Sequence, residues 1–293
     1  MEFRMSPSGE NPPAVVVTGS STGIGAACVR ELDRRGFRVF AGVRATADAD
    51  RLRAASSPRL VPLPLDVTLP DSIAAAARAI RESVGAAGLA GLVNNAGIAV
   101  AGPLEILPIE QICEEFAVNV FGVIGVTQAM LPLLRQGRGR IVNIGSLNGR
   151  IACPYLGAYS ASKHALEALS DALRIELRSW GIHVAVVQPG NTATPLWDKS
   201  FAAAEALATH ASAGAIDLYK ADLDAFRAAC THLAVTAGTV DRTVRAIVHA
   251  LTARRPRVRY PIGPKVHLLL RAYKWLPSRL WDRILQRALG LPD

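Results

Sequence analysis

Tyr159 and Lys163 stand four residues apart in a stretch rich in Ala, Ser and Leu, a spacing that sets both side chains on one face of a helix. A free tyrosine titrates near pH ~10, too high for easy proton exchange at neutral pH, but a neighbouring ammonium favours its phenolate. Such a couple can hand a proton to an oxygen or take one away. Taken alone, the same spacing also describes an ordinary pair on a helix surface.

A second cluster lies upstream. The run Ala14-Val15-Val16-Val17 leads into Thr18-Gly19-Ser20-Ser21-Thr22-Gly23-Ile24-Gly25, a β-branched strand feeding a glycine-rich turn that opens a helix. Backbone N–H groups and the helix dipole in such a turn can receive a pyrophosphate, which nominates Gly19, Ser21, Thr22, Gly23, Ile24 and Gly25. A Gly/Ser loop without a ligand has the same letters, and it is the strand before and the helix after that favour the dinucleotide. After the second strand, where a carboxylate would hold the adenosine ribose 2′-OH, the chain has Gly42-Val43-Arg44. Arg44 can pair with a 2′-phosphate, so NADP(H) is expected ahead of NAD(H), although a lone arginine here also reads as surface. Asp66, with Val67 beside it, is placed for the adenine amino group or for a turn cap.

The elements that must hold these residues follow a regular alternation. Strands are expected at 14–17, 38–42, 60–65, 92–94, 140–144 and 183–187, with a further strand pattern at 258–260. Long helices are expected over 108–134 and 155–180. Six strands alternating with helices imply an α/β fold, a Rossmann-type doubly wound parallel sheet flanked by helices. Asn95, Ala96 and Gly97 then fall at the carboxyl edge of the sheet, where ligands of such folds bind. The expected organisation is a flexible stretch 1–13, a single catalytic domain 14–263 with a helical substrate lid inserted at 195–239, and a basic amphipathic extension 264–293.

Gly19-x3-Gly23-x-Gly25, Asn94-Asn95-Ala96-Gly97, Asn119, Ser146, Tyr159-x3-Lys163 and Pro189-Gly190 with Thr192 and Thr194 occur in the order found in the short-chain dehydrogenase/reductase family. The chain resembles that family from residue 14 to about 195. The resemblance implies a nicotinamide-dependent oxidoreductase that moves a hydride between cofactor and a carbonyl or secondary alcohol. It assigns Ser146, Tyr159, Lys163 and Asn119 to a catalytic tetrad, with Ser146 holding the substrate oxygen. Lys163 would also bond the nicotinamide ribose, and Asn119 would hold a water through which Lys163 exchanges protons. A buried amide bonding backbone is the other reading of Asn119. Pro189, Gly190, Thr192 and Thr194 resemble the loop that meets the nicotinamide carboxamide. A homodimer or homotetramer is implied as well.

The substrate must lie beside Ser146 and Tyr159, which makes Leu147, Asn148, Cys153, Leu156 and Gly157 lining candidates. Their apolar or small character points to an apolar substrate such as a steroid, retinoid or fatty chain, and the insertion and extended C-terminus are similar to the hydroxysteroid and retinol dehydrogenase branch. Competing readings are a catalytically silent dinucleotide-binding regulator and a membrane-surface lipid-binding protein. Half the residues are hydrophobic and 19% charged, which excludes a disordered chain. Cys28, Cys113, Cys153 and Cys230 lack the close spacing of metal or redox sites, so no metal is expected. The N-terminal segment lacks the apolar stretch of a secretion signal, and no run reaches the ~18 apolar residues of a membrane span. Cytoplasm is the expected location.

Of the net charge of +9, residues 254–293 contribute +8, with ten Lys or Arg against two Asp. No nucleic-acid-binding signature accompanies that charge, so nucleic acid is not an expected partner. From Lys265 to Leu289, leucines, Trp275 and Trp281 alternate with Arg271, Lys274, Arg279, Arg283 and Arg287, and Pro277 divides the stretch into two helical pieces. Such a pattern packs an apolar stripe on the body or a second subunit, or rests on an anionic membrane surface.

Overall fold

A computed structural model describes residues 12–192, 196, 200, 213–235, 238–263 and 266–291. Short apolar runs form the strands of one sheet: β1 (Ala14–Val17), β2 (Arg38–Val43), β3 (Leu60–Pro64), β4 (Gly91–Asn94), β5 (Arg140–Ile144), β6 (His183–Pro189) and β7 (Arg259–Ile262). Their order is β3-β2-β1-β4-β5-β6-β7, parallel throughout. The sheet thus has seven strands where six were counted, because the 258–260 pattern joins it beside β6. Strand order reverses between β1 and β4, and Val15 pairs with both Val39 and Gly91 there. Crevices open at such a reversal.

Successive side chains of a strand point to opposite faces, and the core divides accordingly. Val15, Val17, Val93 and Val187 pack with Val29 and Leu32 of α1 (Gly23–Arg34), whereas Val16, Leu92 and Val184 face the other layer. The first face is covered by α1 together with Ile247 and Leu251 of α8 (Val240–Thr252). On the second, α3 (Pro70–Val84) and α5 (Gly122–Gly137) supply Ile80, Met130 and Leu133. The helix α2 (Thr46–Ala54) lies between β2 and β3 in the chain.

The helix expected over 108–134 is three pieces: α4 (Ile109–Phe116), a π turn at Ala117–Phe121, and α5. From Ile109 to Gly137 it is long and apolar enough to cross a membrane, contrary to the expectation from sequence, but 56% of its most apolar window is buried. That burial against the sheet accounts for its apolarity. The second long helix, α6 (Gly157–Glu176), begins two residues later than expected, because Tyr155 adopts a left-handed φ of 62°.

Within the expected lid, α7 (Ala213–Val235) is helical as anticipated. The basic extension folds as α9 (Val266–Trp275) and α10 (Ser278–Leu289), separated at Pro277. Trp281 and Leu289 are buried, and Leu285 joins a cluster with Phe226 of α7, Leu156 and Tyr159.

Candidate active site

The turn after β1 is built by backbone demands. Gly19 and Gly23 have φ of 63° and 56°, a region that disfavours any side chain. A Cβ on Gly25 would lie 2.1 Å from Gly19 O, and one on Gly19 would lie 2.7 Å from Ala96 Cα. Only glycine allows the turn, α1 and the strand β4 loop to approach this closely. Ser20 N–H donates to Gly42 O and Ser20 Oγ to Val17 O, both at 2.9 Å. Thr18 Oγ1 accepts from the backbone of Asn95 and Ala96, and Asn95 Nδ2 donates to the carbonyls of Thr18 and Gly19. The carboxyl ends of β1 and β4 are thereby tied into one rigid edge.

Beside that edge runs a cleft of about 460 Å³. Gly19, Ser21, Thr22, Gly23, Ile24, Arg44, Asp66, Val67, Asn95, Ala96 and Gly97 line it, followed by Ser146, Tyr159, Lys163, Pro189, Gly190 and Thr192. Gly25 serves packing behind it. Thr194 lies outside the described residues. Arg44 is exposed at its position, and Asp66 accepts at Oδ1 from Thr68 N–H and Oγ1 at 2.9 and 2.7 Å, the capping geometry weighed from sequence. Those hydrogen bonds, and the nearby Arg44, hold the Asp66 carboxyl below the usual carboxylate range. A turn that excludes Cβ atoms, with an exposed guanidinium along the same cleft, fits a dinucleotide carrying a 2′-phosphate.

At the other end of the cleft, Ser146 caps a short 3-10 turn, its Oγ accepting from Asn148 N–H at 3.1 Å. The Ser146 hydroxyl acts on the Tyr159 phenol in the direction that favours its phenolate. Lys163 Nζ donates to Ile144 O at 3.0 Å and lies 5.7 Å from the centre of the Tyr159 ring. Burial, the largest influence on both groups, pushes the phenol up to about 12 and the ammonium down to about 8. The sequence leads one to expect a phenol drawn downward by Lys163; here desolvation outweighs that attraction, so the phenol keeps its proton at neutral pH.

Asn119 is fully buried behind the cleft, outside its lining. Its Oδ1 accepts from Ile98 N–H at 3.0 Å, and its Nδ2 donates to Ile98 O at 2.8 Å and Ser162 Oγ at 3.0 Å. This is the buried amide bonding backbone. The π turn, by wedging an extra residue into the helix, aims the amide at the loop that follows β4. Gly97 sits between the two groups: a Cβ there would lie 3.2 Å from Asn119 Oδ1 and 3.6 Å from Lys163 Nζ.

Five expected substrate contacts, Gly157 among them, do not line the cleft. Leu147 and Asn148 are half-buried in the 3-10 turn, while Leu156 and Cys153 belong to the apolar cluster with Tyr159 and Phe226. In their place the cleft is lined by Ile98, Ala99, Val100, Gln111, Glu114, Val118, Leu196 and Ser200. The apolar stretch Ile98-Ala99-Val100, directly after Gly97, was a signal available in the sequence. Nothing local marks Gln111 and Glu114, which reach the cleft because α4 crosses its mouth. Tyr155 Oη donates to Asp222 Oδ2 at 2.7 Å, and its ring meets Phe226 at 5.4 Å, fastening α7 over this end.

Comparison with known proteins agrees with this geometry. Residues 13–205 match the family model described as short chain dehydrogenase. The chain is 40% identical over 284 residues to the 17-beta-hydroxysteroid dehydrogenase type 6 of Bos taurus, covering 95% of this chain and 89% of that protein. It is 39% identical over 276 residues to the retinol dehydrogenase 7 of Mus musculus, covering 92% and 87%. Among solved structures, a short chain dehydrogenase from Burkholderia cenocepacia J2315 in complex with NADP superposes with a TM-score of 0.72 at 25% identity, over 94% of this chain and 98% of that one. The chain belongs to the short-chain dehydrogenase family.

Proposed function

We propose that this dehydrogenase interconverts a carbonyl and a secondary alcohol on an apolar substrate of steroid, retinoid or lipid type, with NADP(H) as its preferred dinucleotide and NAD(H) as the alternative. One observation carries the reading: Ser146, Tyr159 and Lys163 meet in the same cleft as the glycine turn and Arg44. The solved relative in complex with NADP and the hydroxysteroid and retinol dehydrogenases among the relatives support it.

When bound, the dinucleotide supplies or accepts the hydride. The protein's residues manage the oxygen. Ser146 Oγ, held by Asn148 N–H, donates to the substrate oxygen, and Tyr159 gives that oxygen its proton as carbon is reduced. In oxidation the phenol must first lose its proton to solvent, and the phenolate so formed takes the hydroxyl proton. Lys163, fixed on Ile144 O, stabilises the phenolate once it forms. Asn119 acts from behind by clamping both backbone groups of Ile98, which keeps the Gly97 loop beside Lys163. Ile98, Ala99, Val100, Val118 and Leu196 favour an apolar ligand at the wall of the cleft.

A test is a panel of steroid, retinoid and simple aliphatic alcohols and ketones, offered with each dinucleotide and followed by absorbance of the reduced nicotinamide. Turnover of apolar secondary alcohols with a preference for NADP is expected. Turnover confined to small polar alcohols would overturn the substrate class, and no turnover at all would overturn the enzyme reading in favour of a silent regulator.

The reading extends to location and assembly. Leu268, Trp275, Leu280 and Ile284 on α9 and α10 are 67%, 79%, 44% and 41% exposed, although Trp281 and Leu289 are buried. One face packs on the protein and another stays apolar and exposed among cations, which favours a cytoplasmic enzyme resting on an anionic membrane surface. A homodimer or homotetramer belongs to the same reading, and light scattering on the purified protein reads it directly.

A further inference from the structure

Glu115 takes no part in the chemistry above, yet it is fully buried one helical turn before Asn119 at the end of α4. Its Oε1 accepts from Asn119 Nδ2 at 3.3 Å, and the Val100 N–H favours its ionised form. Oε2 has no hydrogen-bond partner and no contact with solvent. A buried acceptor left in that state is disfavoured, and an apolar side chain of similar size would pack without the penalty. Nor is the carboxyl required to hold Asn119. That amide has two hydrogens, and Ile98 O at 2.8 Å and Ser162 Oγ at 3.0 Å are nearer acceptors for them. What the carboxyl adds to the site is charge.

The titratable groups acting on it come from α6, where Lys163 and Tyr159 both feel its field. From the loop after β4 it meets a backbone N–H, and from the π turn and α6 the neutral side chains of Asn119 and Ser162. We propose that Glu115 is a positioning residue for proton transfer, a buried counter-charge that keeps Lys163 an ammonium on the alkaline side of the working range. This rests on the reading of Tyr159 and Lys163 as the proton-handling pair.

The two groups are displaced toward each other. Burial pushes the Glu115 carboxyl up to about 8 and the Lys163 ammonium down to about 8, and each is opposed by the other's charge. As pH rises to the point where the amine would lose its proton, the carboxyl ionises, and its negative charge retains the proton on nitrogen. Two groups so close in titration behave as one unit. Without the carboxyl, the Ile144 carbonyl is left to offset the desolvation of Lys163, and it carries no charge.

Glu115→Gln keeps the shape and one acceptor but removes the charge. In the pH profile of kcat, its alkaline limb is expected to move to lower pH by on the order of one unit. A second readout needs no turnover: the urea midpoint of the full chain as a function of pH. A carboxyl raised on folding contributes stability that is complete below its unfolded value and lost as pH climbs to its folded one, so the wild type should decline between 4.5 and about 8. Lys163, shifted downward, changes its contribution only between about 8 and 10.5, outside that window. The variant should lose the decline. A lost decline with an unmoved alkaline limb would overturn the counter-charge role while leaving the Tyr159–Lys163 reading standing. A wild type without turnover on any carbonyl or alcohol would bring down that reading and this one with it. If Glu115→Gln does not fold, Glu115→Met removes the unpaired oxygen outright and carries the same expectation for the limb.

Discussion

Tyr159 is 4% exposed, and its proton remains on oxygen at neutral pH until a substrate oxygen comes within hydrogen-bond reach. Tyr159→Phe keeps the ring that packs in the apolar cluster and removes only the hydroxyl. Acid–base assistance of this kind is worth about 10²–10⁴-fold, so kcat should fall by at least ~10²-fold while titration of NADPH fluorescence shows affinity close to wild type. Substantial remaining turnover would remove Tyr159 from its role. Along the same cleft, Arg44 is the cation available to a 2′-phosphate. Reversing it in Arg44→Asp should weaken NADP by about 1.5–3 kcal/mol, the range for a charged hydrogen bond, and alter NAD little. Dissociation constants for both dinucleotides decide the point, and an unchanged preference would return Arg44 to the surface.

At the scale of elements, the strands and the glycine turn were legible because their signals are local. A β-branched run ending in glycine needs no partner to be recognised, and β5 was placed at Arg140–Ile144 without error. The π turn was not legible, since one residue added to a helix leaves its apolar period almost intact; only the double clasp of Asn119 on Ile98 reveals it. Glu115 was hidden for a related reason. A glutamate between Glu114 and Phe116 on an amphipathic helix reads as solvent-facing, and its burial depends on α6 closing over it. The residues that line the described cleft beside Ser146 come from the loop after β4 and from α4, which sequence proximity to Ser146 does not indicate. The helix α7 also lacked a strong pattern, and Phe226, 3% exposed, is what seats it against Tyr155. Truncation of a buried phenylalanine costs about 3–5 kcal/mol, but this cluster is separate from the two that sandwich the sheet. Phe226→Ala should therefore raise KM for apolar substrates and speed hydrogen exchange at 217–231 with little change in the exchange of β1, β4 and β5. Uniformly faster exchange throughout the sheet would show that α7 is part of the global fold rather than a separable cover.

For the molecule as a whole, charge and apolar surface are distributed unevenly in a way that orients it. The body is nearly neutral, and the excess positive charge lies in residues 254–293. Arg259 there is committed inward, to Glu167 at 2.9 Å and Asp171 at 2.7 Å. Arg271, Lys274, Arg279, Arg283 and Arg287 are exposed on α9 and α10, beside Leu268, Trp275, Leu280 and Ile284. Five cations close to an anionic leaflet are worth about 1 kcal/mol each at most, screened by salt, and the apolar side chains add a term that salt does not weaken. Vesicles containing phosphatidylserine should therefore carry the protein upward on flotation far better than vesicles of phosphatidylcholine alone, with the advantage shrinking at high salt. Deleting residues 264–293 is a blunt test, because it also strips Leu285 and Leu289 from the cluster that seats α7. Replacing the five cations by glutamine leaves that packing alone, and it should abolish the preference for anionic vesicles while solution turnover of a soluble alcohol persists. Flotation that ignores both lipid charge and these substitutions would mean that the exposed face of α9 and α10 meets protein, most simply a second copy of the chain, in place of a membrane.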